Sequence, residues 1–163
     1  MKSDAVKQLV LELWQQDVGL HPALREHAEQ TPFGVEAYIS KPKRSDTNAN
    51  GLTQCIMEFI RLRGGQAERI SVMGRPVEEK GKGGRVVGVR WTKSHMTIGT
   101  ADISATIRGR SVKIEVKIGK DRQSDEQRKY QAEVERAGGL YYIARDFAGF
   151  VEWYNKMFGR AIQ

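Results

Sequence analysis

Asp102, Glu115 and Lys117 have the side-chain types and spacing that metal-dependent phosphodiester hydrolysis uses. That reaction needs a water made nucleophilic near neutral pH, a Lewis acid to neutralise charge on the phosphorane-like transition state, and protonation of the leaving oxygen. Two or three carboxylates holding Mg²⁺ meet the first two needs, and a neighbouring lysine orients the water or stabilises the developing charge. Ile103, Ala105 and Ile107 alternate with polar residues, as do Val112, Ile114 and Val116, which is the period of half-buried strands. With Gly109-Arg110 as a two-residue turn, the expected hairpin pairs Ile107 with Val112, Ala105 with Ile114 and Ile103 with Val116. Asp102 then faces Lys117, and Glu115 lies diagonally from Asp102, within reach of one small ion. A slip of one residue would turn Glu115 and Lys117 into the core.

The elements around this hairpin follow from periodicity and punctuation. Residues 4 to 16 carry Val6, Leu9, Val10, Leu13 and Trp14 at helical spacing behind Ser3 or Asp4 as a cap. The pattern weakens from Gly19 to Asn50, and Lys41 to Gly51 reads as a flexible linker. A second helix is expected over Thr53 to Arg63, packing Cys55, Ile56, Phe59, Ile60 and Leu62 and stopping at Gly64-Gly65, with Glu58 in its middle. Ala67 to Met73 reads as a strand, Arg75 to Arg85 as a mobile basic loop and Val86 to Trp91 as a strand. Ser124-Asp-Glu-Gln127 has the form of a capping box, so a helix should run to about Ala137. Leu140 to Ala144 is a short apolar strand, and Asp146 caps a last helix bearing Phe147, Phe150, Val151, Tyr154 and Phe158. The order is that of a mixed α/β domain without internal repeats, with residues 1–50 as an N-terminal helix and linker extension and 51–163 as the main domain.

Asp102, twelve intervening residues and then Glu115-Val116-Lys117 resemble the motif of the PD-(D/E)XK nuclease superfamily. Glu58 on the preceding helix, Gly99 before the aspartate, Gln127 on the following helix, and the Ala-Gly-Gly plus apolar strand after it resemble the virus-type replication-repair nuclease family. The likeness spans residues 53 to 145 and leaves the first fifty unexplained. It implies a restriction-endonuclease-like core, a central mixed β-sheet flanked by helices. It further implies a metal site of Glu58, Asp102, Glu115 and the main-chain carbonyl of Val116, with Lys117 as the catalytic lysine and Gln127 setting the site from its helix. Mg²⁺ is the implied cofactor, with Mn²⁺ as a substitute. The implied activity is endonucleolytic cleavage of branched or structured DNA to 5′-phosphate products, in the manner of Holliday junction resolvases, by a homodimer. Where the family often has proline before the aspartate, this chain has Ala101.

Charge agrees with a polyanionic partner. Lys and Arg balance Asp and Glu at 8 to 8 over residues 1–65, exceed them 7 to 3 over 66–95, and 12 to 9 thereafter, so much of the net +7 gathers just before the hairpin. Arg75, Lys80, Lys82, Arg85, Arg90 and Lys93 are the candidate phosphate contacts; the competing reading is a loop kept soluble by charge. Gly81-Lys82-Gly83-Gly84 lacks P-loop spacing, so no nucleotide cofactor is expected. His21, His27 and His95 have no metal-ligand spacing, and Trp91 and Tyr130 fit either base stacking or the core. Trp14 and Trp153 read as packing residues on their helices. Cys55, the single cysteine, excludes an internal disulfide and a cysteine-rich zinc site. With no secretory apolar stretch and no membrane-length apolar run, a cytoplasmic location is expected. Two further readings stay open at this point: a DNA-binding subunit of the same fold without chemistry, and a nuclease directed at RNA.

Overall fold

The computed structural model describes residues 3–70, 75–92 and 97–159. Four strands form a mixed sheet in the order β1 (Gln66–Arg69), β4 (Ile103–Ile107), β5 (Arg110–Val116), β6 (Leu140–Ala144). The first three are antiparallel in sequence along the sheet, and β6 runs parallel to β5. That last pair needs a crossover, which α4 (Asp125–Arg136) provides. On the opposite face, α1 (Asp4–Leu20), α3 (Ala49–Leu62) and α5 (Phe147–Phe158) pack together over the apolar sides of the strands. The chain is therefore α/β, a mixed four-stranded sheet flanked by helices.

The core is aromatic at its centre. Phe59 of α3 meets Phe147, Phe150 and Tyr154 of α5 edge to face at 5.7, 5.7 and 5.1 Å. The Arg63 guanidinium lies 3.5 Å over the same ring and bridges to Glu12 of α1 at 3.1 Å, so one side chain ties α3 to α1. Val6 and Leu9 of α1 are buried in this cluster, which makes the start of the chain part of the core.

Several expectations are corrected. The segment 41–51, read as a flexible linker, is a fixed strap: Asp46 accepts from the Ser3 hydroxyl and the Phe147 N–H, and Asn48 caps α3, which begins at Ala49, ahead of the expected Thr53. Beyond α1, which runs to Leu20 where residue 16 was expected, the chain forms α2 (Pro22–Glu29) and a single 3₁₀ turn over Val35–Ala37. The expected basic loop from Arg75 is a strand, β2 (Arg75–Lys80), paired antiparallel with β3 (Val86–Thr92) as a separate two-stranded ribbon. Its partner ladder overrides the weak strand preference of Glu78, Glu79 and Lys80. The expected strand 67–73 is seen as Gln66–Arg69, and residues 71–73 lie outside the described residues.

The hairpin turn is also displaced. It is Arg108-Gly109, with φ of 48° and 77°, where Gly109-Arg110 was expected. A two-residue turn matching the twist of its strands takes positive φ at both positions, and glycine at the second carries most of that demand. The observed pairs are Ile107 with Arg110, Ala105 with Val112 and Ile103 with Ile114. This register differs from the expected one by two residues, so every side chain keeps its face while its neighbour changes.

Phe59→Ala should cost about 3–5 kcal/mol of unfolding free energy, since it removes the shared partner of four side chains. Denaturant unfolding of the variant checks this; a loss below about 1 kcal/mol would show that α3 and α5 are held by other contacts.

Candidate active site

One step beyond the Ile103–Ile114 pair, the register sets Asp102 directly across from Glu115. The two carboxylates are cross-strand neighbours, where the sequence had placed Asp102 opposite Lys117. Asp102 Oδ2 accepts the Val116 N–H at 2.9 Å, which fixes the end of the hairpin to the carboxylate itself. Lys113 and Glu115 share the polar face of β5, which Lys117 follows directly, and Lys113 donates to Ser104 at 2.5 Å two pairs below.

Glu115 is 1% exposed. Its Oε1 accepts from Lys117 Nζ at 3.1 Å and from the Gln127 side-chain amide. Its Oε2 is buried with no hydrogen-bond partner among the described residues. Burial pushes the Glu115 carboxyl above the ordinary carboxylate range and the Asp102 charge adds to this, against the opposing pull of Lys117 and Gln127. For Lys117, burial disfavours the charge, yet the bonds and charges of Glu115 and Asp121 outweigh it and raise the ammonium's pKa. Asp121 Oδ2 lies 3.3 Å from Lys117 Nζ and was not singled out in the sequence; its position four residues after the lysine was the available signal.

Gln127 fills two roles at once. Its Oε1 accepts the Ser124 N–H at 3.0 Å, the Ser124 hydroxyl accepts the Gln127 N–H at 3.2 Å, and the remaining amide nitrogen donates to Glu115. The expected capping box is thus present and reaches the carboxylate pair. Tyr141, opposite Lys113 on the same sheet face and two register steps from Glu115, has a buried hydroxyl without a partner among the described residues; burial and the Glu115 charge push its pKa up. Tyr130 packs edge-on against Tyr141 with ring centroids 6.4 Å apart, on the side of core packing. Trp14 donates to the Ile39 carbonyl at 2.8 Å, and Trp153 stacks on Tyr142 at 4.5 Å.

Glu58 stands apart from this group. Arg44 holds it through two bonds of 2.6 Å, and Gln54 donates to it at 3.3 Å. The helix direction gives the reason. Arg69, at the end of β1 where Ile70 bonds to the Asp102 carbonyl, donates to Asn50 at 2.7 Å, so the first turn of α3 lies at the carboxylate end of the sheet. Glu58 is eight residues further on, about 12 Å along the axis. Among the described residues, no group of three or more His, Cys, Asp or Glu side chains is placed to share one ion, so the pair Asp102–Glu115 stands without a third carboxylate.

Of the basic residues, Lys80, Lys82 and Arg85 are exposed at the tip of the β2–β3 ribbon, while Arg90 bonds to Glu79 at 3.2 Å. Arg75 lies on β2, and Lys93 and His95 fall outside the described residues. In the chain the ribbon lies between β1 and β4, whose paired ends Arg69 and Ile103 adjoin Asp102. Among the described residues no helix is long and apolar enough to cross a membrane.

No protein-family model matches the chain, and no curated protein matches its sequence. The site's chemistry therefore has to be tested on its own atoms. Because the folded-state pKa of Glu115 is raised, its contribution to stability is full below the ordinary glutamate pKa and is lost as pH rises through the raised value. Glu115→Gln mimics the protonated form and removes that loss. The difference in Tm between E115Q and wild type, without added metal, should widen in favour of the variant as pH rises across this window; a difference independent of pH would contradict the assigned charge balance.

Proposed function

We propose that the chain is a divalent-metal-dependent DNA endonuclease with a PD-(D/E)XK-type core, similar to the virus-type replication-repair nucleases. The observation that carries this reading is the unpartnered Oε2 of Glu115, buried beside Asp102. A buried carboxylate oxygen with no donor, next to a second carboxylate, lacks a counter-charge that Mg²⁺ or Mn²⁺, hard cations preferring oxygen ligands, is suited to provide. Asp102, Glu115 and the Val116 carbonyl would hold the ion. When bound it supplies Lewis-acid neutralisation of a phosphate and a lowered pKa for water.

The protein groups divide the remaining work. Lys117 is charged, so it orients a water and stabilises negative charge without acting as a base. Two of the three hydrogens on its ammonium go to Glu115 and Asp121, and the third is available to water or a phosphate oxygen. Gln127 directs Glu115 Oε1, leaving Oε2 for the cation. Lys80, Lys82 and Arg85 on the ribbon bind the phosphate backbone, with Arg75 and Arg90 on its strands and Lys93 next in the sequence. Branched or structured DNA is the proposed substrate, cut by a homodimer that offers two sites to opposing strands.

Three measurements test this. Mg²⁺ or Mn²⁺ should raise the Tm of wild type and not of Asp102→Asn. With four-way junction, flap, linear duplex and RNA substrates, cleavage of branched DNA should require the metal. Lys117→Ala should lower kcat by about 10²- to 10³-fold with DNA binding retained. Metal binding without cleavage of any substrate would favour the non-catalytic DNA-binding subunit, and preferential cutting of RNA would overturn the DNA assignment. Replacing Lys80, Lys82 and Arg85 together with alanine should weaken binding to all DNA sequences alike and reduce the salt slope by about 3. An unchanged slope would remove the ribbon from the interface.

A further inference from the structure

We propose that Ser124 and Gly99 are positioning residues for the cation site, acting on it through Gln127. This rests on the reading of Asp102 and Glu115 as that site. The Gln127 amide has two ends, and the capping box determines which end meets Glu115. Because Oε1 is taken by the Ser124 N–H at 3.0 Å, only the NH₂ end is left to face the carboxylate. The opposite orientation would set an amide oxygen against a carboxylate oxygen. Ser124 also accepts the Gln127 N–H at 3.2 Å, so the first turn of α4 is bound at both positions from which the amide extends. The local signal that starts a helix therefore also sets which Glu115 oxygen is left without a donor.

Gly99 fixes the same turn from outside. Its φ is +84°, and a Cβ there would lie 2.5 Å from the Glu126 carbonyl atoms and 2.8 Å from the Gln127 nitrogen. The loop leading into Asp102 and the turn bearing Gln127 are in backbone contact at this glycine. Neither neighbour can yield by rotating a side chain. Each carboxylate is thus set by one of two segments that touch at Gly99: Asp102 by the loop, Glu115 by the helix.

Isothermal titration with Mn²⁺, followed by steady-state cleavage of a four-way junction, tests this. Ser124→Ala keeps the N–H that takes Gln127 Oε1 but removes the hydroxyl that holds the Gln127 N–H and fixes the turn; it should weaken Mn²⁺ binding by about 10- to 100-fold, in the manner of groups that orient metal ligands. It should also lower kcat while leaving KM for DNA unchanged, and Ser124→Thr should restore both. Asp146→Ala removes the equivalent cap from α5, whose side chain accepts from Gly149 at 2.7 Å, and controls for loss of helix stability. It should lower Tm by a similar amount with Mn²⁺ affinity intact. Gly99→Ala should behave as S124A does; if it fails to fold, the serine variants decide alone. Equal effects of S124A and D146A on Mn²⁺ affinity, or no effect of S124A, would overturn the proposal. Binding by wild type that survives Asp102→Asn would overturn the cation site beneath it, so the two failures are distinguishable.

Discussion

Burial of Glu115 is the constraint to which the polar half of the molecule answers. A carboxylate 1% exposed needs donors, and the fold delivers them from two directions: Lys117 from its own strand and Gln127 from the crossover helix. Both donors go to one oxygen. The other has no partner among the described residues, an arrangement that costs stability in the protein alone. A structure selected only for stability would put an apolar residue or a third donor there.

The supporting geometry follows from the apolar side of the same strands. Ile103, Ala105, Ile107, Val112, Ile114 and Val116 bury one face against the helices, so the alternate positions, Asp102, Glu115 and Lys117 among them, must share the other. The aromatic cluster around Phe59 and the bond between Arg63 and Glu12 hold the helices behind the sheet. The Val116 N–H to Asp102 bond then closes the hairpin at its open end, so the pairing that defines the site also contributes to the sheet.

The sequence showed which residues share this face because strand alternation depends on composition alone. It did not show which residue opposes which, because that hangs on the turn, and Arg108 at φ 48° carries no compositional mark of positive φ. The capping box was legible as a local pattern of Ser124 and Gln127, whereas its reach to Glu115 required the tertiary fold. The pairing of Glu58 with Arg44 was not legible either: periodicity gives the face of a helix but not its partners, and the bonds from Arg44 to Glu58 and from Arg69 to Asn50 span 14 and 19 residues. The strap at 41–51 shows the same limit, since its polar composition hides the anchoring of Asp46 to Ser3 and Phe147.

That anchoring bears on how the molecule is made. Asp46 joins residue 3 to residue 147, and α1 packs on α5 as well as on α3, so the first helix shares its burial with the last. Val6 and Leu9 keep only part of their final cover until Phe147, Phe150 and Tyr154 have been made. Native closure of this core is consequently a non-local event that waits on about 140 residues of intervening chain, with the high contact order that slows folding.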